Sequence, residues 1–99
     1  MDDSNAGELQ IYSVEERENA AATCIVRCVG GIVRTGQKFR VEATGDATDD
    51  SSLMSLDWIN RYEKLIEFID PPHSAKVHLS GQGVSLLERG VILYSIPTE

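Results

Sequence analysis

The sequence predicts an all-β fold, a small closed antiparallel six-stranded β-barrel, and three observations lead there. Apolar and polar residues alternate with period two in several short segments, the pattern of half-buried strands. Turns rich in glycine or proline separate those segments at even spacing. The 99 residues suit one core and are too few to divide between two. Short strands so spaced close readily into a barrel, because closure removes the free edges that an open sheet presents.

The elements follow in order. Residues 1–8 are small, polar and acidic and are expected to form a flexible N-terminus, leaving 9–97 as a single barrel domain. Residues 9–14 alternate as a strand, and 15–19 read as a charged turn. Residues 21–29 form a second strand, with Cys24, Val26 and Cys28 on one face and Ile25, Arg27 and Val29 on the other. Gly30 and Gly31 break it, and Gly36 follows the short apolar pair Ile32 and Val33. Residues 38–42 alternate again, setting Phe39 and Val41 opposite Lys38 and Arg40. Residues 44–52 have the composition of a loop.

The stretch 56–69 carries two patterns. Trp58, Tyr62, Leu65 and Ile69 fall at helical spacing, while Leu56, Trp58 and Tyr62 share one face of a strand with Asp57 and Arg61 opposite. Pro71 and Pro72 end either element. Residues 75–79 set Val77 and Leu79 inward and Lys76 and His78 outward. Residues 85–90 read as a helical turn stopped by Gly90, and 91–96 as the last strand.

Two segments together carry a family likeness. Residues 24–41 (CIVRCVGGIVRTGQKFRV) and residues 77–93, with VHLSG followed by LERGVIL, resemble the second domain of translation GTPases such as elongation factor Tu and initiation factor 2. The resemblance implies an antiparallel barrel in which 56–69 are strands joined by a tight turn, and the stretch is expected in that form. It also implies a positive φ at Gly31 and Gly36, and a turn at Arg89-Gly90 that points Val91 and Leu93 inward. The Gly-Asp of the family corner before residue 75 is replaced here by His73-Ser74. No G-x₄-G-K-[ST] phosphate loop occurs, so GTP binding is not expected of this chain.

Nine basic against 16 acidic residues give a net charge of −7, which opposes attraction to nucleic acid and to anionic membranes. No apolar run is long enough to span a bilayer, and residues 1–4 lack the features of a signal peptide. A cytoplasmic location is expected. Cys24 and Cys28, four apart on a strand, sit about 13 Å from each other, too far for a disulfide, and C-x₃-C without a partner pair is a poor zinc site. They are expected as core. His73 and His78 have no motif linking them to a nucleophile, and Asp46, Asp49 and Asp50 lie in the 44–52 loop, unsuited to positioned acid–base work. No enzyme, metal or cofactor is read.

What remains is a clean basic stretch. Between residues 20 and 41 there is no acid and there are four cations: Arg27, Arg34, Lys38 and Arg40. If the two strands are neighbours, Arg27, Lys38 and Arg40 share one outer face, with Arg34 at the tip of the connecting turn. Charge compensation between neighbouring segments accounts for the stretch as well. In the likeness, outer surfaces of this barrel dock neighbouring domains and in some members hold the acceptor end of aminoacyl-tRNA. The expected function is a stand-alone binding module that docks a protein partner through its outer strands. An RNA- or ribosome-associated module using the basic face is the alternative.

Overall fold

A computed structural model describes residues 7–41 and 53–96. The expected loop over 44–52 and the first six residues lie outside the described part. Among the described residues, nine strands and one short 3₁₀ turn follow in order: β1 (Glu8–Glu18), β2 (Ala21–Gly30), β3 (Val33–Arg34), β4 (Lys38–Val41), β5 (Leu53–Arg61), β6 (Lys64–Ile66), β7 (Phe68–Ile69), β8 (Ser74–Ser80), the 3₁₀ turn (Gln82–Leu86) and β9 (Ile92–Ile96). Six of them close a ring in the order β4-β9-β1-β2-β8-β5, with β5 pairing back to β4. Every pairing in the ring is antiparallel. β6 extends β5 as a hairpin, and β3 pairs with β7 in a separate two-stranded sheet.

Alternation places the core. Cys24, Val26 and Cys28 from β2, Phe39 from β4 and Val77 and Leu79 from β8 are fully buried, each on the face that period two assigns, and Leu93 from β9 is fully buried as the resemblance implies. Val41 and Val91 pack half-buried against them. Burying a leucine- or phenylalanine-sized side chain contributes about 1.5–3 kcal/mol, so the interior is the main source of stability. Gly31 and Gly36 have φ of 61° and 89°, the positive values expected there. Gly81 is bound more tightly. Its φ is 136°, and a Cβ would stand 2.6 Å from the Leu53 carbonyl oxygen and 2.8 Å from Met54 Cα. The chain can leave β8 and pass β5 this closely only without a side chain.

Several expectations need correction. Residues 15–18 are not a turn, because β1 runs on to Glu18 and pairs with β2 as far as Ala21. A ten-residue β2 needs a partner of its own length, and register shifts between Ile11 and Ser13 and between Val14 and Glu16 let β1 bend around the barrel while supplying it. Gly7 and Glu8 also belong to the fold: the Gly7 amide donates to Ser95 Oγ at 2.7 Å, and Glu8 opens β1. The helical turn lies at Gln82–Leu86, ahead of residues 85–90, and Leu87 after it is fully buried.

The ambiguous stretch is strand, turn and strand, as the resemblance implies, but its inward face differs from the period-two reading. A bulge between Leu56 and Trp58 shifts the phase by one residue. Met54, Leu56 and Ile59 point inward, whereas Trp58 is only half-buried and Tyr62 sits exposed in the turn.

Candidate functional site

The four cations singled out from the sequence do not form one face. β2 and β4 are three strands apart in either direction around the ring, so Arg27 lies across the barrel from Lys38 and Arg40. The chain does not turn back after β2. It leaves the ring through β3, pairs there with β7, and re-enters as β4 between β5 and β9. Arg27 is exposed, its guanidinium 5.8 Å from the Tyr12 ring centroid. Arg34 is exposed on β3 opposite Phe68, and its backbone amide donates to Gln37 Oε1. Lys38 is exposed on β4. Arg40 is half-buried between Tyr94 and Leu53, and its Nε is shielded from solvent without a hydrogen-bond partner. Period two determined which way these side chains point, and it carries no information about which strand lies alongside.

Chemistry concentrates instead along the outer face of the β2–β8–β5 ladder. The bulge in β5 leaves Asp57 without a partner on β8 and brings Trp58 opposite His78. The two rings stack with centroids 5.7 Å apart and planes 19° from parallel. His78 Nδ1 lies 2.8 Å from Asp57 Oδ2. An ionised carboxylate can only accept, so the Nδ1 proton is committed to Asp57 whether the ring is neutral or charged. Beside this stack lies a groove of about 260 Å³, walled by Glu16 and Glu18 and floored by Ala21, Ala22 and Thr23. Its acidic wall exists because β1 extends past residue 14, setting Glu16 opposite Thr23 and Glu18 opposite Ala21. The signal for that extension was the length of β2.

Arg17, between the two glutamates, points to the other side of β1, where it is opposite the buried Ala22. There its guanidinium donates to the carbonyl oxygens of Val84 (3.1 Å), Ser85 (3.3 Å) and Leu87 (2.6 Å). Arg17 thus adds a charged donor at the C-terminal end of the 3₁₀ turn, sharing the Val84 carbonyl with the Leu87 amide.

At the other end of β8 a broader groove of about 590 Å³ runs beside the β5–β6 hairpin, with Ile25, Asn60, Arg61, Tyr62, Pro72 and Lys76 among its lining. Tyr62 and Glu63 form the hairpin turn with φ of 56° and 66°. Two positive φ values are the pattern of a type I′ turn, which asparagine and glycine fill without strain and tyrosine and glutamate do not. Tyr62 is 82% exposed and Leu65 70% exposed. The Arg61 guanidinium lies 4.8 Å from the Tyr62 ring centroid. Lys64 and Lys76 are exposed nearby, with Asn60 paired to both Leu65 and Lys76 across the sheet.

The two thiols face the core. Burial pushes Cys24 up to about 11, against the opposing pull of the Arg17 cation and with a smaller push from Glu15. Burial raises Cys28 as well, and its thiol donates to the Gly30 carbonyl oxygen at 3.5 Å. His73, exposed in the turn before β8, has its Nδ1 3.0 Å from Asp70 Oδ1. No group of three or more metal-ligating side chains occurs among the described residues. Among them, no helix is long and apolar enough to cross a membrane.

The closed ring of six antiparallel strands has the architecture of the β-barrel of translation factors, in agreement with the second-domain resemblance of the sequence. The structure of GDP-bound aIF5B from Aeropyrum pernix superposes with a TM-score of 0.73 at 22% identity, covering 94% of this chain and 15% of that one. The apo translation elongation factor SelB from Methanococcus maripaludis gives 0.73 at 15% identity, over 94% of this chain and 19% of that one. This chain therefore spans less than a fifth of the length of either, and the likeness establishes the fold. No protein-family model and no curated protein matches the sequence.

Proposed function

We propose that this barrel is a non-enzymatic binding module that docks a protein partner through the outer faces of its strands, with the β5–β6 hairpin as the anchor. The observation that carries the reading is the tip itself. Tyr62 and Leu65 are the two most exposed large apolar side chains among the described residues, and the turn that presents Tyr62 is strained. Strain of about 1–3 kcal/mol per residue is tolerated where it positions a side chain for use. Tyrosine and arginine are also the residue types that most often dominate interface energies. In the two similar translation factors the matched part is less than a fifth of the chain, and a docking role agrees with that.

The RNA reading needed contiguous cations on one outer face. With Arg27 across the barrel from Lys38 and Arg40, that face is missing, and the net charge of −7 works against a polyanion. The test is capture of partners from nuclease-treated lysate of the source cells. Tyr62→Ala/Leu65→Ser is expected to abolish capture while Lys38→Ala, beside the opposite end of β5 from the tip, leaves it intact. Retained capture by the tip variant would overturn the reading, and so would a partner released by nuclease.

A further inference from the structure

We infer that the groove between β1, β2 and the Trp58–His78 stack receives a single cationic side chain, arginine or lysine, from an extended segment of the docked partner. The inference rests on the docking reading above and names the chemistry that the neighbouring groove selects. Its volume, about 260 Å³, is below the roughly 300–1,000 Å³ of drug-sized ligand sites, and suits one long side chain. The floor is made of Ala21, Ala22 and Thr23, residues too small to fill it.

The two carboxylates and the indole favour a cation. Glu16 and Glu18 line one side. Trp58 lines the other, and an indole face attracts a cation more strongly than any other side-chain ring. The groups that would neutralise the site are occupied elsewhere. Arg17 spends its guanidinium on the Val84, Ser85 and Leu87 carbonyls on the opposite face of β1. The Nδ1 proton of His78 is held by Asp57, whose carboxylate adds a further negative charge behind the stack. Lys76 is the next outward residue along β8, about 7 Å beyond His78, and lies in the other groove. The outer face is thus negative at its Glu16–Glu18 end, while at the other end Arg61, Lys64 and Lys76 outnumber Glu63. A partner anchored on Tyr62 needs only a few extended residues to reach the acidic end. The net charge of −7 draws cations at long range in the same sense.

Trp58 is the only tryptophan of the chain, so its fluorescence reports on this groove alone. The full chain is titrated with acetyl-Gly-Xaa-Gly-amide peptides in which Xaa is arginine, lysine, citrulline or glutamate, with amide shifts of Thr23 and His78 followed in parallel. Arginine and lysine peptides are expected to change the fluorescence saturably. Citrulline, which keeps the shape of arginine without its charge, is expected to bind at least about five-fold more weakly, and glutamate not at all. Glu16→Gln/Glu18→Gln is expected to weaken arginine binding by about three-fold or more, and raised salt to weaken it further, with the thermal midpoint unchanged.

Citrulline binding as tightly as arginine would overturn the assignment, and so would the absence of saturation by arginine up to about 20 mM. A short RNA oligonucleotide that shifts the same amides more strongly than the arginine peptide would overturn it too. The two readings fail separately. If the peptides fail while Tyr62→Ala/Leu65→Ser still abolishes partner capture, the cation site falls and the docking module stands. If capture survives the tip variant, the docking reading falls whatever Trp58 reports.

Discussion

The two ends of β8 use the same kinds of residue in opposite ways. At its C-terminal end Arg17 is consumed by three carbonyls of the segment that follows the strand, and Leu87 beside it is fully buried. At the N-terminal end Arg61 stacks on a tyrosine that is itself in solvent, and Leu65 stands exposed on β6. An arginine and a leucine stand at each end, so these residue types do not distinguish the two. What distinguishes them is whether polar and apolar groups are satisfied within the chain, as around Arg17 and Leu87, or left for something outside it. Polar groups committed internally hold a fold together, and apolar groups left uncovered in one place mark a contact surface.

That contrast has measurable consequences. The largest concerns the two leucines. Leu87→Ala should lower the unfolding free energy by about 2–5 kcal/mol, and Leu65→Ala should change it by no more than about 0.5 kcal/mol. Equal costs in urea denaturation would remove the distinction between the ends.

Second comes the alkaline limb of stability, set midway along β8 where Cys24 pairs with Val77. The folded state holds the Cys24 thiol at about 11, above its ordinary value of 9.0. The contribution is complete below about pH 9 and is lost as pH rises through 11, because the unfolded chain then ionises first. A loss on the order of 2–3 kcal/mol is expected over that window. It should disappear in a Cys24→Ala variant, and its persistence there would assign the limb to other groups.

The arginines come third. Arg17→Ala should cost about 2 kcal/mol, since hydrogen bonds from a charged donor contribute about 1.5–3 kcal/mol and the carbonyls it leaves are partly shielded. Exchange at the Leu87 amide, which donates to the Val84 carbonyl at 3.2 Å, should accelerate with it. Arg61→Ala should leave both unchanged. The smallest effect has the opposite sign. Tyr62→Asn/Glu63→Gly gives the turn the residues its backbone demands and should raise stability by about 1 kcal/mol while abolishing partner capture. A destabilised variant would show that the tip residues are retained for the fold.

Much of this architecture is legible from local pattern. The inward faces of β2, β4 and β8 follow from alternation, while that of β9 and the positive φ at Gly31 and Gly36 follow from the family resemblance. The candidate site is far less legible. Its acidic wall depends on β1 continuing through a segment whose charges resemble a turn. Its aromatic wall depends on one extra residue in β5, which rotates Asp57 and Trp58 relative to a regular strand. A bulge leaves no mark on composition and reverses the face of every residue after it.

The sequence by itself determined that the chain is all-β, which residues fill the interior of most strands, and that Arg27, Lys38 and His78 face outward. Only the tertiary structure decided which strands are neighbours. It separated Arg27 from Lys38 and Arg40 and brought Glu16, Thr23, His78 and Trp58 together. The side a residue faces is fixed by the backbone geometry of its own strand, within a few residues. The strand alongside is chosen by pairing across long stretches of chain and by the path β3 takes out of the ring, and period two encodes neither.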